Sequence, residues 1–137
     1  SKSLIILVSD VDMLKEYVAK IPEKIFVLLA QEQNPITIIY PNARKLAKNA
    51  IADDGTIAIR IPKDDFCLSL IQKFKKPIIS TSANISGELA PKNFLSISEQ
   101  LKKKVDYIVD YKQNDDSSSK ASKIVKIENN ELVYIRK

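Results

Sequence analysis

Blocks of apolar residues alternate with polar segments along the chain and predict short strands separated by helices. The runs Ser3–Val8 and Ile36–Tyr40 are rich in β-branched residues, which is typical of buried strands. A third strand is predicted over Thr56–Ile61, after a turn at Asp53–Gly55, and a fourth over residues 75–80. The pattern therefore places a strand before most of the amphipathic segments.

The segments between these runs have apolar residues at helical spacing. We expect helices to begin near Asp10, near Pro22, and at Asp64 or Asp65. Ser96 and Glu99 have the spacing of a capping box and predict a fourth helix, and a short helix is also expected within 42–50. On this pattern Cys67 lies on the apolar stripe of the third helix and is interpreted as a core residue rather than a nucleophile.

The C-terminal third predicts further strands. Tyr107–Tyr111 is strand-like, residues 112–120 have the composition of a mobile loop, and residues 123–137 predict a hairpin that turns at Asn129–Asn130. Strands that alternate with helices favour an α/β fold with parallel pairing, and the hairpin adds antiparallel pairing. The prediction is a single domain over residues 1–137, with a mixed sheet and flanking helices.

Composition limits the chemistry that this chain can perform. The 137 residues include no histidine and one cysteine, which excludes Ser-His-Asp and Cys-His catalysis and almost every zinc site. One cysteine forms no internal disulfide, and no apolar run approaches the roughly 18 residues of a membrane span. We therefore expect a cytoplasmic protein without membrane contact, in which any divalent ion is a hard one such as Mg²⁺ brought by a phosphate ligand.

The net charge of +5 favours anionic partners such as nucleotides or RNA. The lysines, however, are spread along the whole chain. A solvated, lysine-rich surface explains the same charge, so both interpretations stay open at this point.

The segment "STSANISG" follows the fourth predicted strand, and ligands of α/β sheets collect where strands end. Its hydroxyls and the Asn84 amide both donate and accept hydrogen bonds, and Gly87 permits a positive φ. Such a cluster can bind a carboxylate, a phosphate or a base edge. The alternative is an ordinary polar turn in which Asn84 bonds to its own backbone.

Two arginines are further candidates for an anion site. Arg60 ends an apolar strand, and Arg is the natural bidentate partner of a carboxylate or phosphate; the alternative is a surface salt bridge with Asp64. Thr56 lies four residues earlier, on the same strand face. Ser122 and Arg136 can approach one sheet edge if the hairpin forms, although Arg136 is also compatible with a solvated tail.

These segments together resemble the YrdC-like family of L-threonylcarbamoyladenylate synthases. The matching motifs occur in the family order, and they are "SKSLIIL", "NPITIIYP", "GTIAIRIP", "STSANISG", "ASKIVKI" and "VYIRK". Each motif is weak by itself, but the ordered set spans nearly the whole chain, and S-A-N-x-S-G is its most specific member. The resemblance implies the YrdC-like version of the mixed sheet.

The resemblance also implies an activity and a set of partners. The family joins L-threonine, bicarbonate and ATP into threonylcarbamoyl-AMP and releases pyrophosphate, with Mg²⁺ carried by ATP. A downstream transferase uses the product to modify the tRNA adenosine beside the anticodon. No side-chain nucleophile or acid–base residue is expected, because the threonine carbamate itself attacks the α-phosphorus, so catalysis is positioning and charge neutralisation.

The resemblance also implies which residues of this chain bind the substrates, because each occupies a position of a family motif. Arg60 is expected to bind the threonine carboxylate, with Ser82 and Ser122 also on threonine. The residues expected to contact ATP are Thr56, Asn84 and Arg136.

The chain also departs from the family pattern. The family's first fifty or so residues, with a K-x-R motif that supplies two cations for the ATP phosphates, have no counterpart here. We therefore expect either a fragment of the synthase or a reduced homologue, favour the fragment, and leave open whether the chain is active by itself. Asn34 replaces a glycine, and Lys123 replaces the Thr of S-T-x-V.

Two alternative functions remain. A non-catalytic module on the same fold could bind tRNA or double-stranded RNA through the lysines of "KFKK" and "LKKK". A relative that handles another carbamoyl adenylate would use carbamoyl phosphate in place of threonine.

Overall fold

The computed structural model of the protein describes residues 4–115 and 121–137. The chain forms two compact units. The sheet unit consists of residues 4–80 and 122–137, and the second unit lies within residues 81–121.

The sheet unit alternates strands and helices in the predicted order. Its elements are β1 (Ile5–Leu7), α1 (Val11–Tyr17), α2 (Glu23–Gln31), β2 (Ile36–Tyr40), a 3-10 turn (Lys48–Ala50), β3 (Ile57–Arg60), α3 (Asp65–Phe74), β4 (Ile78–Ser80), β5 (Lys123–Glu128) and β6 (Glu131–Arg136). The six strands form one sheet in the order β4-β1-β3-β2-β5-β6. β1 and β3 are parallel, as are β2 and β5, and the other neighbours are antiparallel. The prediction of a mixed α/β sheet is confirmed.

The two faces of this sheet differ in character because side chains alternate with period two. One face, called the core face below, presents Ile6, Ile38, Ile59 and Val125, each at most 2% exposed. Residues of α1 and α2, including Leu14 and Ile25, join the same buried cluster. The opposite face, called the open face, bears Thr37, Arg60, Ile124, Lys126 and Arg136.

Two predicted helix caps are confirmed. Asp10 accepts a hydrogen bond from the Met13 amide at 2.8 Å, and Asp64 accepts one from the Cys67 amide at 3.0 Å, which places Asp64 rather than Asp65 at the cap of α3. Such caps satisfy amides that have no partner within the helix. Cys67 is half-buried on α3, a helix whose one fully buried side chain is Ile71.

The prediction of a helix over 42–50 is wrong except for its last three residues. Asn42 and Lys45 have φ values of 57° and 60°, which a right-handed helix excludes. Ala43 instead forms a bridge with Val18, and Arg44 donates to the carbonyl oxygens of Glu16 and Lys15 at 3.1 and 2.9 Å. These hydrogen bonds satisfy carbonyls at the end of α1, so a contact distant in sequence overrides the local preference.

The terminal hairpin is confirmed. Asn129 and Asn130 both have positive φ, 51° and 64°, which is the geometry of a type I′ turn. A register irregularity between Ile124 and Val125 makes Arg136 the partner of Ile124. Within residues 4–115 and 121–137, no helix is long and apolar enough to cross a membrane.

The second unit contains little regular structure. It has a 3-10 turn at Phe94–Ser96 and one short helix, α4, at Glu99–Lys102. The predicted Ser96–Glu99 capping box is wrong, because Ser98 precedes α4 and the Ser96 amide donates to Asn93. Tyr107–Tyr111 is not a strand: Tyr107 is 78% exposed, and no strand of residues 4–115 or 121–137 pairs with this segment. Of the predicted loop 112–120, residues 116–120 lie outside the described residues.

Candidate functional site

A row of aligned residues crosses four strands on the open face of the sheet. Arg60 on β3 is in register with Thr37 on β2, Thr37 with Ile124 on β5, and Ile124 with Arg136 on β6. Residues in register point to the same face, and at the irregularity beside Ile124 the closeness of Arg136 to Arg60 also follows from its effect on the Arg60 pKa. The sheet therefore brings Arg60 and Arg136 to one surface, although 76 positions separate them in the sequence.

The Arg60 side chain is hydrogen-bonded to a buried hydroxyl group. Its Nε donates to Oγ1 of Thr37 at 2.9 Å, and Thr37 is only 1% exposed. Burial lowers the pKa of the Arg60 guanidinium, and the positive charge of Arg136 lowers it further. The guanidinium nevertheless stays protonated in a protein, so this surface keeps two neighbouring positive charges.

Arg136 is tied to the strand beside it. Its Nε donates to the main-chain oxygen of Ser122 at 2.8 Å, which places Arg136 next to the residue that precedes β5. Among the described residues, neither Arg136 nor Arg60 forms an ion pair with a carboxylate, so the alternative pairing of Arg60 with Asp64 is not observed. Two like charges that reach the same surface without carboxylate partners favour an anionic ligand.

Thr56 lies at the other end of β3. Its hydroxyl donates to Oδ1 of Asp54 at 2.6 Å and its amide donates to the same oxygen at 3.0 Å. These hydrogen bonds lower the pKa of the exposed Asp54 carboxyl. Four residues of extended chain separate Thr56 from Arg60 by roughly 13 Å. The sheet thus brings Arg60, Ser122 and Arg136 to one end of its strands and places Thr56 toward the other end.

Ser82 and Asn84 belong to the second unit. Asn84 Nδ2 donates to the main-chain oxygens of Ile85 and Glu88 at 3.1 and 2.9 Å, and Gly87 has a φ of 90° in the same turn. Asn84 therefore organises its own loop, as the polar-turn interpretation expected, and Ser82 is exposed beside it. That these two residues bind substrates stays a prediction.

Thr37 is the residue of this site to which the sequence assigned no role. It lies within the motif "NPITIIYP". Apart from Tyr40 at the end, it is the only residue with a hydroxyl group in the apolar run Ile36–Tyr40. A buried polar side chain requires a hydrogen-bond partner, so a threonine inside an apolar strand is the signal for such a contact. The sequence alone does not reveal that the partner is Arg60.

A metal ion held by the protein does not fit this surface. Among the described residues, no group of three or more His, Cys, Asp or Glu side chains could hold one. The open face has arginines where a hard cation would require oxygen ligands.

Comparison with known proteins finds related sequences and a related structure. The Sua5/YciO/YrdC family model, described as telomere recombination, matches residues 1–137. A threonylcarbamoyl-AMP synthase of Pseudoalteromonas translucida is 33% identical over 112 residues, which cover 80% of this chain and 60% of that protein. A synthase of the same name from Pyrococcus abyssi is 29% identical over 108 residues, which cover 78% of this chain and 32% of that protein.

A solved structure has the same fold. Sua5 of P. abyssi, in complex with L-threonine, matches with a TM-score of 0.80 at 24% identity, over 98% of this chain and 39% of that one. The chain thus spans between about a third and 60% of the length of the curated relatives it matches.

Proposed function

Because the chain belongs to the Sua5/YciO/YrdC family, we propose that it performs, or contributes to, the synthesis of threonylcarbamoyl-AMP from L-threonine, bicarbonate and ATP. The names of its relatives support this proposal. The observation on which it rests is the meeting of Arg60 and Arg136 on one face of the sheet, with no carboxylate partner among the described residues. ATP and bicarbonate are anions and L-threonine carries a carboxylate, and this surface supplies the complementary charge.

Arg60 binds the carboxylate of L-threonine in this proposal. Its Nε already donates to Thr37, which leaves the two Nη groups as a fork for a ligand. A guanidinium fork matches a planar carboxylate through two parallel hydrogen bonds. Ser122, beside Arg136, is available to threonine at the same end of the strands, and Ser82 is the further threonine residue that the family motif implies.

Arg136 binds the nucleotide, together with Thr56 and Asn84. The Arg136 Nε is fixed by the oxygen of Ser122, which leaves its Nη groups for a phosphate. Thr56 donates its hydroxyl proton to Asp54 and therefore presents oxygen lone pairs as acceptors. Acceptors suit the hydroxyl or amino groups of a nucleoside, whereas the cationic Arg136 suits its phosphates.

The reaction needs no nucleophile from the protein. The neutral threonine amine and bicarbonate condense to a carbamate: the new N–C bond forms, and the bicarbonate hydroxyl leaves with an amine proton as water. A carbamate oxygen then attacks the α-phosphorus of ATP, so that the bond to pyrophosphate breaks as the new P–O bond forms. Arginines neutralise the charge of both reactants and hold them in line, which is the main protein contribution to phosphoryl chemistry of this kind. Mg²⁺, if it takes part, is carried by the ATP phosphates rather than by this chain.

The product would be consumed by a separate transferase that modifies the tRNA adenosine beside the anticodon. This role implies the cytoplasm, where tRNA, ATP and threonine occur together.

The test is pyrophosphate release by the purified chain with ATP, threonine and bicarbonate supplied together and omitted singly. The proposal expects release that requires all three, and expects threonine and ATP binding by calorimetry. Dependence on carbamoyl phosphate instead of threonine would indicate a different carbamoyl adenylate. Binding of tRNA or double-stranded RNA with a steep salt dependence, without threonine or ATP binding, would favour the RNA-binding module.

A further inference from the structure

Lys126 is a third cation on the open face, and no motif assigned it a role. It lies on β5 in register with Ile39 on β2 and with Val133 on β6. This row is next to the row of Arg60 and Arg136, and the rows are roughly 7 Å apart because two residues of extended strand separate them. Lys126 therefore lies one row from Arg136, on the side toward Thr56.

Two carboxylates face Lys126, and both are exposed. Its Nζ lies 3.6 Å from Oε1 of Glu128, whose side chain is 52% exposed. It is also close enough to Asp54 to contribute to the lowered pKa of that carboxyl, after the two hydrogen bonds from Thr56. Exposed pairs of this kind contribute little free energy, so a ligand phosphate can displace them.

The position of Lys126 connects the two parts of the proposed nucleotide site. Asp54 holds the Thr56 hydroxyl at 2.6 Å, and Arg136 lies in the adjacent row. A nucleotide that extends from Thr56 to Arg136 along this face must pass Lys126. The lysine ammonium is a compact charge on a flexible stem, and it suits a phosphate oxygen whose position is not fixed by a planar fork.

We propose that Lys126 binds the phosphate chain of the nucleotide on the open face, an inference that rests on the proposed function. It gives the sheet unit three cations for the anionic substrates, namely Arg60, Arg136 and Lys126. The role assigned to Lys126 is substrate binding, with selectivity for phosphorylated nucleosides over free ones.

The experiment compares ATP and adenosine binding by calorimetry for the unsubstituted chain and for Lys126→Gln. We expect ATP affinity to fall about tenfold, the usual effect of losing one charge-assisted hydrogen bond, and adenosine affinity to stay unchanged. The control is Lys24→Gln, because Lys24 also pairs with a glutamate at 3.6 Å but lies on α2. That substitution should leave ATP affinity as it is.

A second substitution tests the same contact from the other side. Glu128→Gln removes the carboxylate that competes with the ligand for Lys126, so it should strengthen ATP binding in the chain that keeps Lys126. In the Lys126→Gln background it should have a smaller effect, and the difference is the coupling between the two residues.

Three results would overturn the inference. An equal loss of adenosine and ATP affinity in Lys126→Gln would show that the lysine only supports the Asp54–Thr56 turn. Unchanged ATP affinity in that variant, with normal ATP binding by the unsubstituted chain, would reject the Lys126 contact alone. Absence of ATP binding by the unsubstituted chain would reject the proposed function, and the inference with it.

Discussion

Arg60 and Thr37 form one hydrogen-bonded pair across neighbouring antiparallel strands, with 2.9 Å between Nε and Oγ1 and the threonine buried beneath the arginine. The pair fixes one of the guanidinium nitrogens of Arg60 and so orients the other two. A side chain as long as arginine loses rotamer freedom when it is held in this way, and that loss has already occurred before a ligand binds.

The first prediction concerns Thr37. Thr37→Val keeps the shape of the buried side chain but removes the acceptor of Arg60 Nε, so the guanidinium is no longer oriented. We expect the affinity of the chain for the ligand L-threonine to fall about tenfold, in line with the loss of a hydrogen bond to a charged group. Thr37→Ser keeps the hydroxyl and should retain most of the affinity. Calorimetric titration with L-threonine distinguishes the two variants. Equal affinities of the Val and Ser variants for L-threonine would show that Thr37 does not orient Arg60.

The second prediction concerns the fork of Arg60. Arg60→Lys keeps the positive charge but loses the two parallel hydrogen bonds, so threonine should bind at least tenfold more weakly. Arg44→Lys is the matched control, because Arg44 donates to main-chain oxygens at the end of α1. The control should lower the melting temperature without changing threonine affinity. Threonine binding by Arg60→Lys at the unsubstituted level would exclude Arg60 as the carboxylate ligand.

The third prediction concerns the loop around Asn84. Asn84→Asp replaces the Nδ2 donor with an oxygen that faces the carbonyls of Ile85 and Glu88, whereas Asn84→Ala only removes the donor. We expect both variants to weaken ATP binding, and Asn84→Asp to weaken it more, because like partial charges then repel one another in the turn. Titration with ATP measures the order. Equal ATP affinity of both variants and the unsubstituted chain would show that this loop has no part in nucleotide binding.

The fourth prediction concerns pH. The folded chain lowers the pKa of Asp54 below its ordinary value of 3.8, through the hydrogen bonds from Thr56 first and the charge of Lys126 after them. A lowered pKa stabilises the fold above the unfolded pKa, and this contribution disappears as the pH falls through the folded value. Thr56→Val removes the larger cause, so NMR titration should show the Asp54 pKa rising toward 3.8 in that variant. No rise would mean that the hydrogen bonds from Thr56 are not the cause.

Local patterns predicted many elements of this chain correctly. The caps at Asp10 and Asp64, the strand over Ile36–Tyr40 and the turn at Asn129–Asn130 depend on residues within a few positions of one another. Failures occurred where distant contacts compete with local preference. Residues 42–47 pair with and hydrogen-bond to the end of α1 instead of forming a helix of their own. Tyr107–Tyr111 has strand-forming residues, but in the described part of the chain no strand pairs with it.

The sequence by itself determined the order of most elements of the sheet unit, the chemistry that a histidine-free chain cannot perform, and which arginines to propose for an anion site. Only the tertiary structure decided that Arg60, Thr37 and Arg136 occupy one row while Thr56 lies a strand length away. The reason is that strand register arises from pairing between segments up to 87 residues apart, and a shift of one residue would send each of these side chains to the opposite face. The proposed anion site is therefore a property of the sheet, and the motifs only list the side chains that the sheet brings together.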